Sequence, residues 1–169
     1  KYPGWTVNEL IADKIPVSLE LGAWALLFAV VVGVLTGSLA AVRPRTLSDY
    51  GPMSIAMLGI CLPSFVIGPL LILAFALELP WFNVSGWQFP RDRVLPALTL
   101  GLFYAACISR LTRGSMLEIR NQDYMRTARA KGLAERSVVL KHGFRNALVT
   151  VLSVLGLQVT ALIASGSIA

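Results

Sequence analysis

Ionisable chemistry is scarce in this chain. Only 14% of its 169 residues are charged and 56% are hydrophobic, against roughly 25% and 45–50% in soluble domains. One histidine, His142, and two cysteines, Cys61 and Cys107, make up its whole stock of imidazole and thiol ligands. Both cysteines stand within apolar runs, where a thiol behaves as a small hydrophobe. With no Cys or His partner at ligand spacing, neither a disulfide nor a metal site is implied. The phosphate-cradling pattern G-x-x-x-x-G-K-[ST] is missing. An intramembrane enzyme would need paired Asp, Glu or His, or a Ser–Lys pair, within apolar segments. Glu20 and Glu78 lie near the ends of such segments and read as interfacial. The chain is therefore expected to have no catalysis, metal or bound cofactor of its own.

What the chain has is apolar sequence gathered into blocks, with a mean hydropathy of +0.69. A soluble core of this length would alternate more finely, so the blocks point to the bilayer. The net charge of +6 follows the same logic. Lys and Arg cluster just outside apolar runs, as the positive-inside rule describes.

Four spans are expected, at about 17–42, 53–78, 94–111 and 147–169, in one all-α polytopic membrane domain. Ahead of the first, Trp5 to Ile15 reads as a short amphipathic helix, with Thr6 and Glu9 as a capping box and Pro16 as its stop. The first span carries a small residue at every fourth position: Ala25, Ala29, Gly33, Gly37, Ala41. Such a stripe lets helix backbones approach closely in lipid, though it does not name the partner helix. Arg43, Pro44 and Arg45 end this span, and a short basic loop reaches Pro52.

The second span holds Pro63 and Pro69, each lacking an N–H and crowding the carbonyl four residues back. A kink or local unwinding is expected near Gly59–Pro63–Ser64. Freed backbone groups at membrane depth are tolerated only against protein or a watery cavity, so this is either a pathway wall or a packing kink. Gly59, Pro63 and Ser64 are candidates for such a lining, with Gln158 from the polar fourth span. The loop from Leu79 to Arg93 carries Trp81, Phe82 and Trp87, which suit interfacial anchoring, and topology places it outside. Both ends of the chain look cut: it starts without Met and stops inside an apolar run.

The segment from Arg110 to Arg145 has nine Lys/Arg against three Asp/Glu, so the loop at about 113–146 is placed in the cytoplasm. Asp123 suits the N-cap of a short helix running to Lys131. Arg129 and Lys131 complement its negative C-terminal end. Gly132 falls where a left-handed C′ residue is wanted, and Leu133 follows as its apolar contact. A second short helix is expected from about Ala134 to Lys141, with Val138, Val139 and Leu140 as an apolar patch. A nucleic-acid role for this basic patch would show steep salt dependence, but the helix–glycine–helix order favours a protein partner.

Several runs in and around this loop form a pattern: LTRGSMLEI (Leu111 to Ile119), QDYMRTARAKGL (Gln122 to Leu133), KHGFRNAL (Lys141 to Leu148) and LGLQ (Leu155 to Gln158). LPSFVIG (Leu62 to Gly68) and LPALTL (Leu95 to Leu100) match more weakly. The pattern resembles the permease subunits of bacterial ABC importers, in the branch that takes up dipeptides, oligopeptides and nickel. Departures are Gly143 in place of a helix former, Val149–Thr150 in place of Ile–Pro, and an outer loop without its usual proline. The resemblance implies a plasma-membrane (inner-membrane) subunit, paired with a second permease subunit and fed by an external substrate-binding protein. Two cytoplasmic ATPase subunits would use ATP and Mg and grip the loop through Thr127, Ala128, Arg129, Ala130, Lys131, Gly132 and Leu133. Membrane lipid is the remaining partner, and no nucleic acid is expected. Relatives usually carry six spans, so one is expected before Lys1 and one after Ala169.

Overall fold

A computed structural model of the chain describes residues 7–132, 138, 144–145, 148–149 and 151–156. All regular elements among them are helical.

The first helix, α1 (Val7–Val42), is continuous over 36 residues, with Pro16 inside it. The expected stop at Pro16 is thus corrected. A proline forfeits one backbone bond, here to the Ala12 carbonyl, and the helical sequence on either side carries the helix through. Its stretch Lys14–Val42 is 29 residues long, ample where about 20 suffice to cross the hydrocarbon core.

The turn after α1 is tight. Thr46 Oγ1 donates to the Arg43 carbonyl at 2.6 Å, and the Thr46 carbonyl accepts the N–H groups of Asp49 and Tyr50. α2 (Leu47–Cys61) therefore starts well ahead of the expected Met53, and Pro52 lies within it. Once the helix is nucleated at Thr46, Pro52 costs only the bond to Ser48.

The segment expected as one second span is two helices. α2 ends at Cys61, and α3 (Ser64–Ile72) leaves it with a bend of 107°. α3 then continues as a π-helical turn, Leu73–Glu78. Leu62 precedes a proline and is driven out of the helical region. Pro63 is itself extended, with φ −61° and ψ 145°, and its carbonyl starts α3 by accepting the N–H groups of Val66 and Ile67. The kink expected here is a complete break, whereas Pro69 stays inside α3.

After the loop at 79–89, a 3₁₀ turn (Pro90–Arg93) leads into α4 (Val94–Arg120). α4 outruns the expected end at Leu111. Its last turns bury Thr112, Ser115 and Met116, so packing rather than hydropathy sets its length. Pro90–Arg120 is the second helical stretch able to cross a membrane, and α2 with α3 makes a third if the bent pair is one span.

α1 and α4 form the tightest pair and run parallel. Gly101 lies against Ala25 and Phe28, Gly33 against Ala105 and Ile108, and Gly37 against Ser109 and Thr112. A Cβ on Gly33 would stand 2.7 Å from the Ala105 carbonyl oxygen. The small-residue stripe has thus found its partner: Ala25, Ala29, Gly33, Gly37 and Ala41 are all buried. Thr36 adds a hydrogen bond to Ser109 at 2.8 Å. α2 runs the other way, with Asp49 at Arg113 and Gly59 near Leu102, and Gly68 of α3 lies near Thr99. Of the expected fourth span, the described residues 148–149 and 151–156 are helical. Val151 is buried with Ala29, Val34, Ala105 and Ile108 in the main core; the rest of that span lies outside the described residues.

The loop before α4 is drawn together by Asp92. Its carboxylate accepts from Asn83 Nδ2 at 2.6 Å and from the Phe89 N–H at 3.0 Å. Next to it, Arg93 pairs with Glu20 of α1 at 3.1 Å and lies over the Trp87 ring, 5.4 Å from its centroid.

Candidate functional site

α4 passes into the next helix through two residues. The Asn121 and Gln122 N–H groups bond back to Glu118 and Ile119, and the Gln122 carbonyl accepts the Met125 and Arg126 N–H groups. α5 (Asp123–Ala130) follows at once. Asp123 is its first residue, one place inside the expected cap. A carboxylate there still faces the positive end of the helix dipole. Its ion pair with Arg126, at 3.8 Å and with both side chains exposed, is worth little.

The end of α5 is the glycine turn expected from the sequence. The Lys131 N–H closes on the Thr127 carbonyl at 3.1 Å, and Gly132 has φ 76°. That is the left-handed conformation glycine adopts freely and other L-residues resist. Among the described residues, nothing lies within 4 Å of where a Gly132 Cβ would stand. The requirement for glycine that these residues impose is conformational.

α5 is two-faced. Met125 and Ala128, one turn apart, are buried with Val138, and Ile119 of α4 packs on the same cluster. Tyr124, Arg126, Thr127, Ala130, Lys131 and Gly132 are exposed. So, of the residues expected to meet a partner, Thr127, Ala130, Lys131 and Gly132 present themselves outward, while Ala128 anchors the helix from below. Arg129 belongs to the helix, but its side chain lies outside the described residues. Leu133 and most of the expected second helix, 134–141, lie outside them too, apart from the buried Val138.

The lining candidates are scattered. Gly59 packs against α4, where an added Cβ would meet the Leu102 carbonyl at 3.2 Å. Pro63 and Ser64 are exposed at the break. Gln158 lies outside the described residues.

Sequence reasoning missed a second constellation. Asp49, in the first turn of α2, is 1% exposed. Arg113 of α4 grips it with both arms of its fork, Nε at 2.5 Å and Nη2 at 2.7 Å. The Arg45 N–H adds a third bond at 2.9 Å. A local clue existed: Thr46 followed three residues later by Asp49 ahead of an apolar run is a helix-start signature. The partner could not be read, because Arg113 lies 64 positions away. Beside the pair, a cleft of about 480 Å³ opens between α2 and α4, with Tyr50, Met53, Met57 and Arg110 among its walls.

Comparison with known proteins accords with this architecture. Residues 33–169 match the family model described as the binding-protein-dependent transport system inner membrane component. The oligopeptide transport system permease protein OppB of Salmonella typhimurium is 46% identical over 158 residues, covering 92% of this chain and 52% of the relative. The dipeptide transport system permease protein DppB of Bacillus subtilis is 44% identical over 163 residues, covering 96% and 53%. OppB of Haemophilus influenzae is 45% identical over 158 residues, covering 92% and 52%. The chain spans about half the length of these relatives. With the helical membrane fold, the two-faced α5 and the match over most of its length, this chain belongs to the family of inner membrane components of binding-protein-dependent transport systems.

Proposed function

We propose that this chain is a membrane-spanning subunit of an ATP-driven importer, and that α5 with Gly132 is the handle by which a separate ATPase moves it. The single observation behind this reading is the construction of α5. Its inner face is fixed to α4 through Met125, Ala128 and Ile119, Thr127, Ala130 and Lys131 are exposed on the other, and Gly132 at φ 76° ends it sharply. A rigid, exposed knob beside the bilayer suits a protein that pushes. Thr127, Arg129, Ala130, Lys131, Gly132 and Leu133 make the docking surface, with Ala128 seating it.

The cargo is a peptide, with nickel or another small solute as the second reading. Peptide is favoured because the relatives carry oligopeptide and dipeptide in their names. A second permease subunit completes the path, two cytoplasmic ATPase subunits drive it, and an external binding protein delivers the cargo. ATP and Mg belong to the ATPase subunits, and this chain binds neither. Gly59, Pro63, Ser64 and Gln158 remain the proposed lining.

The test is a series at position 132. Asparagine tolerates the left-handed region better than alanine, and a β-branched residue tolerates it least. Uptake should fall in the order Gly, Asn, Ala, Val, with a cost of about 1–2 kcal/mol in the turn already at alanine. Membrane insertion should stay constant. Equal uptake across the series would end the coupling role.

A further inference from the structure

The inner ends of α1 and α2 meet on one turn of α4. Gly37 of α1 touches the Ser109 carbonyl and Thr112 so closely that a Cβ has no room. Arg113, one residue on, holds Asp49 of α2 by a two-armed ion pair. Asp49 also fixes the α1–α2 turn by accepting the Arg45 N–H, and Arg45 sits at φ 62°, a conformation disfavoured for a residue with a side chain. From this turn, α4 runs without interruption to Arg120. Only Asn121 and Gln122 separate it from α5, which packs back onto Ile119. Helix or a two-residue turn fills the whole path from the docking surface to Asp49.

We propose that the Asp49–Arg113 pair is a positioning link in the transport cycle, making α2 follow α4 when a partner moves α5. This rests on the reading of α5 as the docking element. The chemistry suits the task. Apolar helix faces in lipid can slide past each other, whereas a bidentate guanidinium–carboxylate pair fixes angle as well as distance. Asp49 is buried, so the pair is little screened by salt. Its grip stops at the break before Pro63. α3 lies beyond that break and meets α4 on its own, with Gly68 near Thr99.

The test uses the whole importer, with both permease subunits, the ATPases and the binding protein, reconstituted in vesicles. Solute taken up per ATP hydrolysed is compared for Asp49→Asn, Arg113→Gln, the double variant and the milder Arg113→Lys, which keeps the charge and loses the fork. Each single neutral variant should lower that ratio by roughly tenfold, within the range seen for residues that carry coupling between sites. ATP hydrolysis per complex should persist. The double variant should lose no more than either single, because the pair acts as a unit, and Arg113→Lys should fall between. Three results would overturn the link: an unchanged ratio, losses that multiply in the double variant, or uptake and hydrolysis that decline together as for simple misfolding. Failure of a cross-linker at Lys131 to capture an ATPase in the unaltered complex would instead remove the docking reading and this link with it.

Discussion

At the scale of single residues, glycine does two different jobs here, and substitution separates them. Gly37 is buried against a carbonyl and a Thr side chain that cannot retreat. Gly37→Ala should cost about 1–3 kcal/mol by overpacking, read as a lower melting temperature in detergent. Gly114 sits in α4 with nothing among the described residues within 4 Å of an added Cβ. Gly114→Ala should be neutral or stabilise by up to about 1 kcal/mol through helix propensity. Equal effects at the two sites would refute the close α1–α4 contact. The sequence announced Gly132 because helix-stop chemistry is local: the basic last turn and the glycine stand side by side. Asp49 stayed hidden because its meaning depends on a residue far along the chain.

At the scale of elements, the sequence was a good guide to which segments are helical and a poor guide to where they stop. Pro16 and Pro52 read as boundaries, yet each lies inside a helix. One missing bond is a small loss against many retained. Pro63 does end a helix, and the difference lies in its neighbours: its carbonyl launches α3 through Val66 and Ile67, so the chain gains a new start when it breaks. The four-residue stripe in α1 was legible because its period is intrinsic. Its partner was not, since contact with α4 is a tertiary fact. Pro63→Ala restores an N–H and should let α2 and α3 straighten toward one helix. Spin labels at positions 57 and 70 would then approach about 20 Å apart, the length of 13 helical steps. A distance unchanged from the unaltered protein would show that tertiary packing, not Pro63, holds the break.

At the scale of the whole molecule, helix directions decide sidedness. α1 and α4 are parallel, so Arg43 and Arg45 at the end of one lie on the same side as Arg110, Arg113 and Arg120 at the end of the other. The positive-inside rule puts basic clusters of this kind in the cytoplasm, and the packing has both groups on one face. The outer-loop residues Asn83 and Asp92 belong to the opposite end. After replacement of Cys61 and Cys107, an impermeant thiol reagent should label Ser85→Cys in cells whose inner-membrane outer face is accessible. It should label Lys131→Cys only once the membrane is opened. The reverse pattern would invert the molecule and remove the handle from the ATPase.

A parallel pair has one more consequence, for biosynthesis. Neighbours that point the same way cannot be joined by a hairpin, so the chain must cross back before the second arrives. α1 enters the bilayer with Gly33 and Gly37 bare and stays so until Arg120 has left the ribosome, on the order of ten seconds at usual translation rates. The tightest helix contact among the described residues therefore waits for α4, and the nascent α1 must spend that interval packed against lipid or a borrowed helix.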